Sequence, residues 1–95
     1  LVVHPLTKMN ISNVQMQTLQ TLAKIDKLLK EGGTDRTKIL SSTIWLKDMK
    51  DFAAMNEVWN EWVGGPEEQK GVRACVESRM ARDAILVEIK VIAAV

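Results

Sequence analysis

Twice in this sequence an apolar stripe of helical period runs into a pair of glycines and gives way to β-type alternation. The first stripe is Leu22, Ile25 and Leu29, flanked by Leu19 and Leu28, and it stops at Gly32-Gly33. The second is Phe52, Met55, Trp59 and Trp62, at intervals of three, four and three, and it stops at Gly64-Gly65-Pro66. Glycine takes the left-handed backbone conformation without a Cβ clash, so both pairs read as helix stops. Each helix has one apolar side to bury, and the intervening segments offer the sheet on which to bury it.

At the head of the first stripe, Ser12-Asn13-Val14-Gln15 fits a capping box, with Gln15 able to reach back to the cap. The pattern predicts a helix over 12–31, with Lys24, Lys27 and Lys30 solvated. Residues 1–4, before Pro5, read as a strand or the remnant of one, and 6–11 as loop. Residues 38–46 are β-branched and alternating, with Leu40, Ile44 and Leu46 on one face and Thr43 and Trp45 on the other. Asp48 or Asp51 caps the second helix, and the mixed charges of 47–51 read as a solvated turn. Residues 66–71 are polar and loop-like. Val72, Ala74, Val76 and Met80 then alternate with Arg73, Cys75, Glu77 and Arg79, which predicts a strand over 72–80 with one apolar and one polar face. Arg82-Asp83 marks a turn. Ile85, Val87, Ile89, Val91 and Ala93 alternate with Leu86, Glu88, Lys90 and Ile92 in a final strand. The order (β)-α-β-α-β-β argues for an α+β sandwich with both helices on one face of a sheet. With 95 residues the chain holds a single domain, 1–95, since two cores would leave neither half large enough.

Composition removes several classes of function. Hydrophobic residues at 46% against 26% charged exclude a disordered chain. Thirteen basic and twelve acidic residues leave a formal charge of +1 with no basic tract, which disfavours binding nucleic acid through its phosphates. The longest apolar runs are about five residues, far short of a membrane span. One Cys excludes an internal disulfide, and one Cys with one His excludes a conventional zinc site. The glycine pairs form no phosphate-cradling motif. No signal-peptide pattern is present, so the expected compartment is the cytoplasm. Leu1 in place of Met leaves a trimmed chain as one reading. His4 reads as a strand-end surface residue, the Phe52–Trp62 stripe as core rather than a stacking platform, and Met55 and Met80 as gap-fillers.

The polar face of 72–80 is the candidate for chemistry. Arg73 and Cys75 point the same way, and Arg is the side chain suited to gripping a carboxylate bidentately. A guanidinium beside Cys75 favours its thiolate. Glu88 follows Arg73 by 15 positions (88 − 73 = 15). If the two strands lie together, Arg73 and Glu88 share a site, either as an ion pair or with Glu88 as a general base toward water. A sheet covered on one face also leaves its other face to be buried by assembly.

Three blocks carry a resemblance. They are Lys38-Ile39-Leu40 with Trp45 through Trp59, then Arg73-Ala74-Cys75-Val76-Glu77, then Val87 through Ala93. In this order, over roughly residues 12–95, they resemble the YjgF/RidA-like reactive-intermediate deaminases, also called L-PSP endoribonuclease-like proteins. The resemblance implies a chorismate-mutase-like fold with a mixed sheet, and a homotrimer with clefts between subunits. It implies hydrolysis of enamine and imine intermediates, 2-imino acids, to 2-keto acids and ammonia, with no metal or organic cofactor. It maps carboxylate binding onto Arg73, water positioning onto Glu88, and further substrate contacts onto Cys75 and Asn56. Its partners would be a small imino or keto acid and two further copies of the chain. A non-catalytic trimer that binds carboxylates or keto acids is the alternative. The departures are local. The chain has no Tyr, nothing like Ser-Gly-Gln precedes the first helix, and Gly71-Val72-Arg73 stands where Pro-Ala-Arg is usual. The N-terminal strands are therefore expected to be shortened or missing.

Overall fold

The structure, a computed structural model, describes residues 12–64 and 71–95. The strand expected over 1–4, His4, the loop at 6–11 and most of the loop at 66–71 lie outside the described residues. Helix α1 (Asn13–Glu31) starts at its capping box: Ser12 Oγ accepts from the Gln15 N–H at 3.3 Å, and Gln15 Oε1 accepts from the Ser12 N–H at 3.3 Å. It buries Val14, Leu22, Ile25 and Leu29, while Leu28 faces solvent. Strand β1 (Ile39–Leu46) follows, then helix α2 (Phe52–Val63), strand β2 (Val72–Glu77) and strand β3 (Val87–Ala93).

The sheet order is β2-β1-β3, with β1 parallel to β2 and antiparallel to β3. A parallel pair needs a crossover, and α2 is that crossover. Both helices lie over the same face. Ile39, Ile44, Leu46 and Val87 of the sheet join Val14, Leu22, Ile25, Leu29, Met55, Val58, Trp59 and Val63 in one core. Gln15, itself buried, ties the helices by donating to the Ala54 carbonyl (3.2 Å) and to Glu57 (3.0 Å).

Four expectations need correction. Leu40 is exposed rather than on the core face with Ile44 and Leu46, because a bulge between Ile39 and Ser41 shifts the register and gives Ile39 the buried place. The bulge is matched by Gly71, at φ +68, where a Cβ would stand 2.1 Å from the Leu40 carbonyl oxygen; only glycine lets the chain enter β2 so close to β1. Strand β2 ends at Glu77 rather than 80, and β3 begins at Val87 rather than 85. The chain between them must pass the end of β1, where Ser78 N–H donates to Leu46 O (2.9 Å) and Lys47 N–H donates to Leu86 O (3.0 Å). Gln17 holds this crossing from α1, donating to Ala84 O and accepting from Leu86 N–H, both at 2.7 Å. Finally, Asp48 caps the short 3-10 turn Met49–Asp51 that leads into α2, while Asp51 makes no side-chain cap.

Strand β2 faces the opposite way from a strand that packs by its apolar side. Arg73 and Cys75 are half-buried toward the helices, whereas Val72, Ala74 and Val76 are exposed on the open face of the sheet. Ile92 and Leu40 are exposed as well, and Trp45 stands half-buried beside Val76.

Candidate functional site

Residues paired across a sheet share a face, so the register decides which candidates meet. Arg73 lies in the row Arg73–Ser42–Val91, on the helix side. Above it, Phe52, Asn56 and Trp59 fall at i, i+4 and i+7 and so share one side of α2. The Arg73 guanidinium donates from Nη1 to Asn56 Oδ1 at 2.6 Å. Its central carbon lies 5.8 Å from the Phe52 ring centroid and 5.5 Å from that of Trp59, so aromatic faces flank the charge. Among the described residues no carboxylate pairs with Arg73. Glu77 shares its face but is engaged elsewhere, accepting from the Met49 N–H at 2.9 Å. A guanidinium carries five donors in a fork, and only one is spent on Asn56. What remains is a partly desolvated cation with a donor edge suited to a carboxylate.

Ser42, next in the row, is buried, and its hydroxyl has no hydrogen-bond partner among the described residues. The sequence reading overlooked it, although its parity with Ile44 and Leu46 places it on the core face beside Arg73. Cys75 sits in the next row with Ile44 and Ile89. Burial pushes its thiol above the ordinary range, and this outweighs the pull of the nearby Arg73 charge. The expected thiolate is therefore corrected to a protonated thiol.

Glu88 is elsewhere. It pairs with Trp45, which pairs with Val76, so it occupies the open face, and β1 separates its strand from that of Arg73. One chain does not bring Arg73 and Glu88 together, and the direct pairing of their two strands is not formed. Arg73, Cys75 and Glu77 share the helix side with Val91, Ile89 and Val87, so Glu88, which alternates with that set, lies on the face opposite Arg73. Among the described residues, no group of three or more His, Cys, Asp or Glu could hold a metal ion, and no helix is long and apolar enough to cross a membrane. A groove of about 790 Å³ runs between α1 and α2, walled by Met16, Leu19, Val58 and Trp62; Arg73, Cys75 and Asn56 do not line it.

Known proteins share this fold. The family model described as Endoribonuclease L-PSP matches residues 4–95. The RutC family protein YoaB of Escherichia coli K12 is 43% identical over 79 residues, covering 83% of this chain and 68% of that protein. A RutC family protein of Haemophilus influenzae is 42% identical over 81 residues, covering 85% and 68%. The crystal structure of a YjgF-family member from Neisseria meningitidis superposes with a TM-score of 0.77 at 41% identity, covering 90% of this chain and 70% of that one. With the match running through both helices and all three strands, the chain belongs to the Endoribonuclease L-PSP family, the group that contains the YjgF and RutC proteins.

Proposed function

We propose that the protein hydrolyses enamine and imine intermediates, converting 2-imino acids to 2-keto acids and ammonia in the cytoplasm. The observation that carries this reading is the Arg73 guanidinium, held by Asn56 between two aromatic rings with no carboxylate partner among the described residues. A 2-imino acid offers that carboxylate, and its C=N carbon is then held in a fixed position. A protonated imine is electrophilic enough for water once oriented, so positioning supplies much of the catalysis. Water adds to the imine carbon, a proton moves from oxygen to nitrogen, and the C–N bond breaks. One water and one iminium give one keto acid and one ammonium ion.

Glu88 enters as the group that orients and deprotonates the water. Since it faces the open side of the sheet, it reaches an Arg73 site only across a subunit boundary. A chorismate-mutase-like trimer, with sheets packed around a central axis and clefts between subunits, supplies that boundary. The exposed Val72, Val76 and Ile92 support such an assembly. The separation of Arg73 and Glu88 within one chain favours a second reading, a trimer that binds keto or imino acids without turnover. Cleavage of RNA has less support, because a formal charge of +1 and the absence of a basic tract provide little attraction for a polyanion.

The test is ammonia release from 2-imino acids generated in situ by an amino-acid oxidase. The expected result is acceleration by the wild type, loss in Arg73→Lys through weakened binding, and loss in Glu88→Gln with pyruvate binding intact. Pyruvate binding without any acceleration would replace the deaminase with the binding protein.

A further inference from the structure

The Arg73 site is half of a longer stack. Trp59 is almost fully buried and packs against Trp62 with ring centroids 5.4 Å apart and planes tilted by 47°. Trp62 is half-exposed, so packing alone does not fix it. It is pinned instead by polar contacts. Its indole Nε1–H donates to Asp26 Oδ2 at 3.0 Å. The Arg36 guanidinium lies over its ring, 5.0 Å from the centroid. Arg36 Nη1 donates to the Trp62 backbone carbonyl at 2.6 Å, one of the terminal carbonyls of α2 that the helix itself leaves unsatisfied. Arg36 Nη2 closes the loop on the same Asp26 oxygen at 2.8 Å. Two guanidinium groups thus bracket an indole pair in the order Arg36, Trp62, Trp59, Arg73. Each neighbouring pair in that order is in contact.

We infer that Asp26 and Arg36 are positioning residues for Arg73, acting through the Trp62–Trp59 pair; this rests on the carboxylate-binding reading of Arg73. Trp59 is one of the two aromatic walls that hold the Arg73 charge. Its ring packs against that of Trp62 as well as the core, and Trp62 is held by Asp26 and Arg36. These come from α1 and from the short 3-10 turn Arg36–Lys38, two elements that contribute no atom to the Arg73 site. Releasing Trp62 frees Trp59 to tilt and lets the guanidinium leave Asn56. The fraction of molecules with a competent clamp falls, and the apparent dissociation constant rises in inverse proportion.

The experiment is calorimetric titration with sodium pyruvate, carried out well below the melting temperature of every variant. Asp26→Ala and Trp62→Leu are expected to weaken pyruvate roughly 5- to 20-fold, the effect of reducing the competent fraction to between a fifth and a twentieth. Asp26→Asn keeps an acceptor for the indole N–H, and Trp62→Phe keeps a ring against Trp59. Both should return to within about threefold of wild type by the same arithmetic. A merely structural network predicts lower melting temperatures in all four and an unchanged dissociation constant. If Asp26→Ala does not fold, Arg36→Lys reads the same point. It keeps the charge but cannot bridge Asp26 and the Trp62 carbonyl, and unchanged affinity in it overturns the inference. Arg73→Lys separates the two layers of argument. If it weakens pyruvate while Asp26→Ala and Trp62→Leu do not, the positioning role fails and the clamp stands. If Arg73→Lys binds as wild type does, the clamp fails and the positioning role falls with it.

Discussion

Placing a carboxylate at position 76 should dissolve the proposed assembly. Val72 is 72% exposed, Leu40 58%, Ile92 49% and Val76 45%, together about two full aliphatic side chains left in water. Covering them is worth about 1.5–3 kcal/mol per side chain, or about 3–6 kcal/mol per protomer. Association costs about 4–15 kcal/mol in lost freedom, so these four residues leave little surplus beyond the contacts of Trp45 and Ala74. An unpaired charge buried between sheets costs several kcal/mol even after relaxation, which exceeds that margin. Light scattering on a sizing column should therefore give about 32 kDa for the wild type (3 × 10.7 kDa) and the monomer mass for Val76→Asp. Lys27→Glu, on the solvated side of α1, serves as the control and should leave the mass unchanged. A wild type that stays monomeric across a hundredfold concentration range would refute the reasoning. So would a Val76→Asp variant that keeps the higher mass.

Three further outcomes are expected. Trp59→Ala should lose about 3–5 kcal/mol in urea unfolding, the usual range for emptying a large aromatic site, and a loss under about 1 kcal/mol would mean that Trp59 is not core. Gly71→Ala should cost at least about 1–3 kcal/mol, because a left-handed backbone is strained for alanine and the Cβ meets the Leu40 carbonyl; an unchanged unfolding midpoint would contradict that contact. Cys75 should react slowly with iodoacetamide in the folded protein at pH 7, and faster only as pH rises past the ordinary thiol range near about 8.5. Its folded pKa lies above the unfolded one, so its stabilising contribution is complete at neutral pH and declines as pH rises through that range and beyond. Rapid stoichiometric alkylation of the native protein at neutral pH would show that burial does not govern the thiol.

Local chemistry was legible in the chain and tertiary choice was not. The capping box at Ser12 and the stripe of Leu22, Ile25 and Leu29 depend on neighbours within one or two turns, and they fold as read. Leu40 leaves the alternation at a bulge against β3, and its carbonyl is approached by Gly71, 31 positions away (71 − 40 = 31), so neither feature is local. Alternation along 72–77 defined two sets of side chains but not which set faces the helices. The usual rule sends Val72 and Val76 inward; here Phe52, Asn56 and Trp59 form a polar and aromatic seat that accepts Arg73 instead. The aromatic stripe is core, as its spacing predicts, and the seat is the edge of that stripe, where Asn56 stands at i+4 between Phe52 and Trp59. Glu88 alternates with Val87 and Ile89, so its place on the open face is legible; what the sequence leaves open is that β2 turns Arg73 to the helix side, away from it.

The inversion of β2 ties the two proposals together. Strand β2 carries two unfavourable features: aliphatic side chains in water on one side and, on the other, a guanidinium with no carboxylate partner among the described residues. Reversing the strand would remove both, and the proposed assembly and substrate would each offset one of them. In the proposed assembly further copies of the chain would cover the aliphatic side, and in the proposed reaction an anionic substrate would neutralise the guanidinium. Glu88 lies on the open face of the sheet and Arg73 on the helix side. A site needing both residues is complete only where the open face of one subunit borders the Arg73 cleft of the next. Loss of assembly should then abolish turnover even when Arg73, Asn56 and Glu88 are all intact. In Val76→Asp, ammonia release should vanish along with the higher mass. A monomeric variant that still turned over imino acids would place the water-activating group within a single chain and exclude Glu88 from that role.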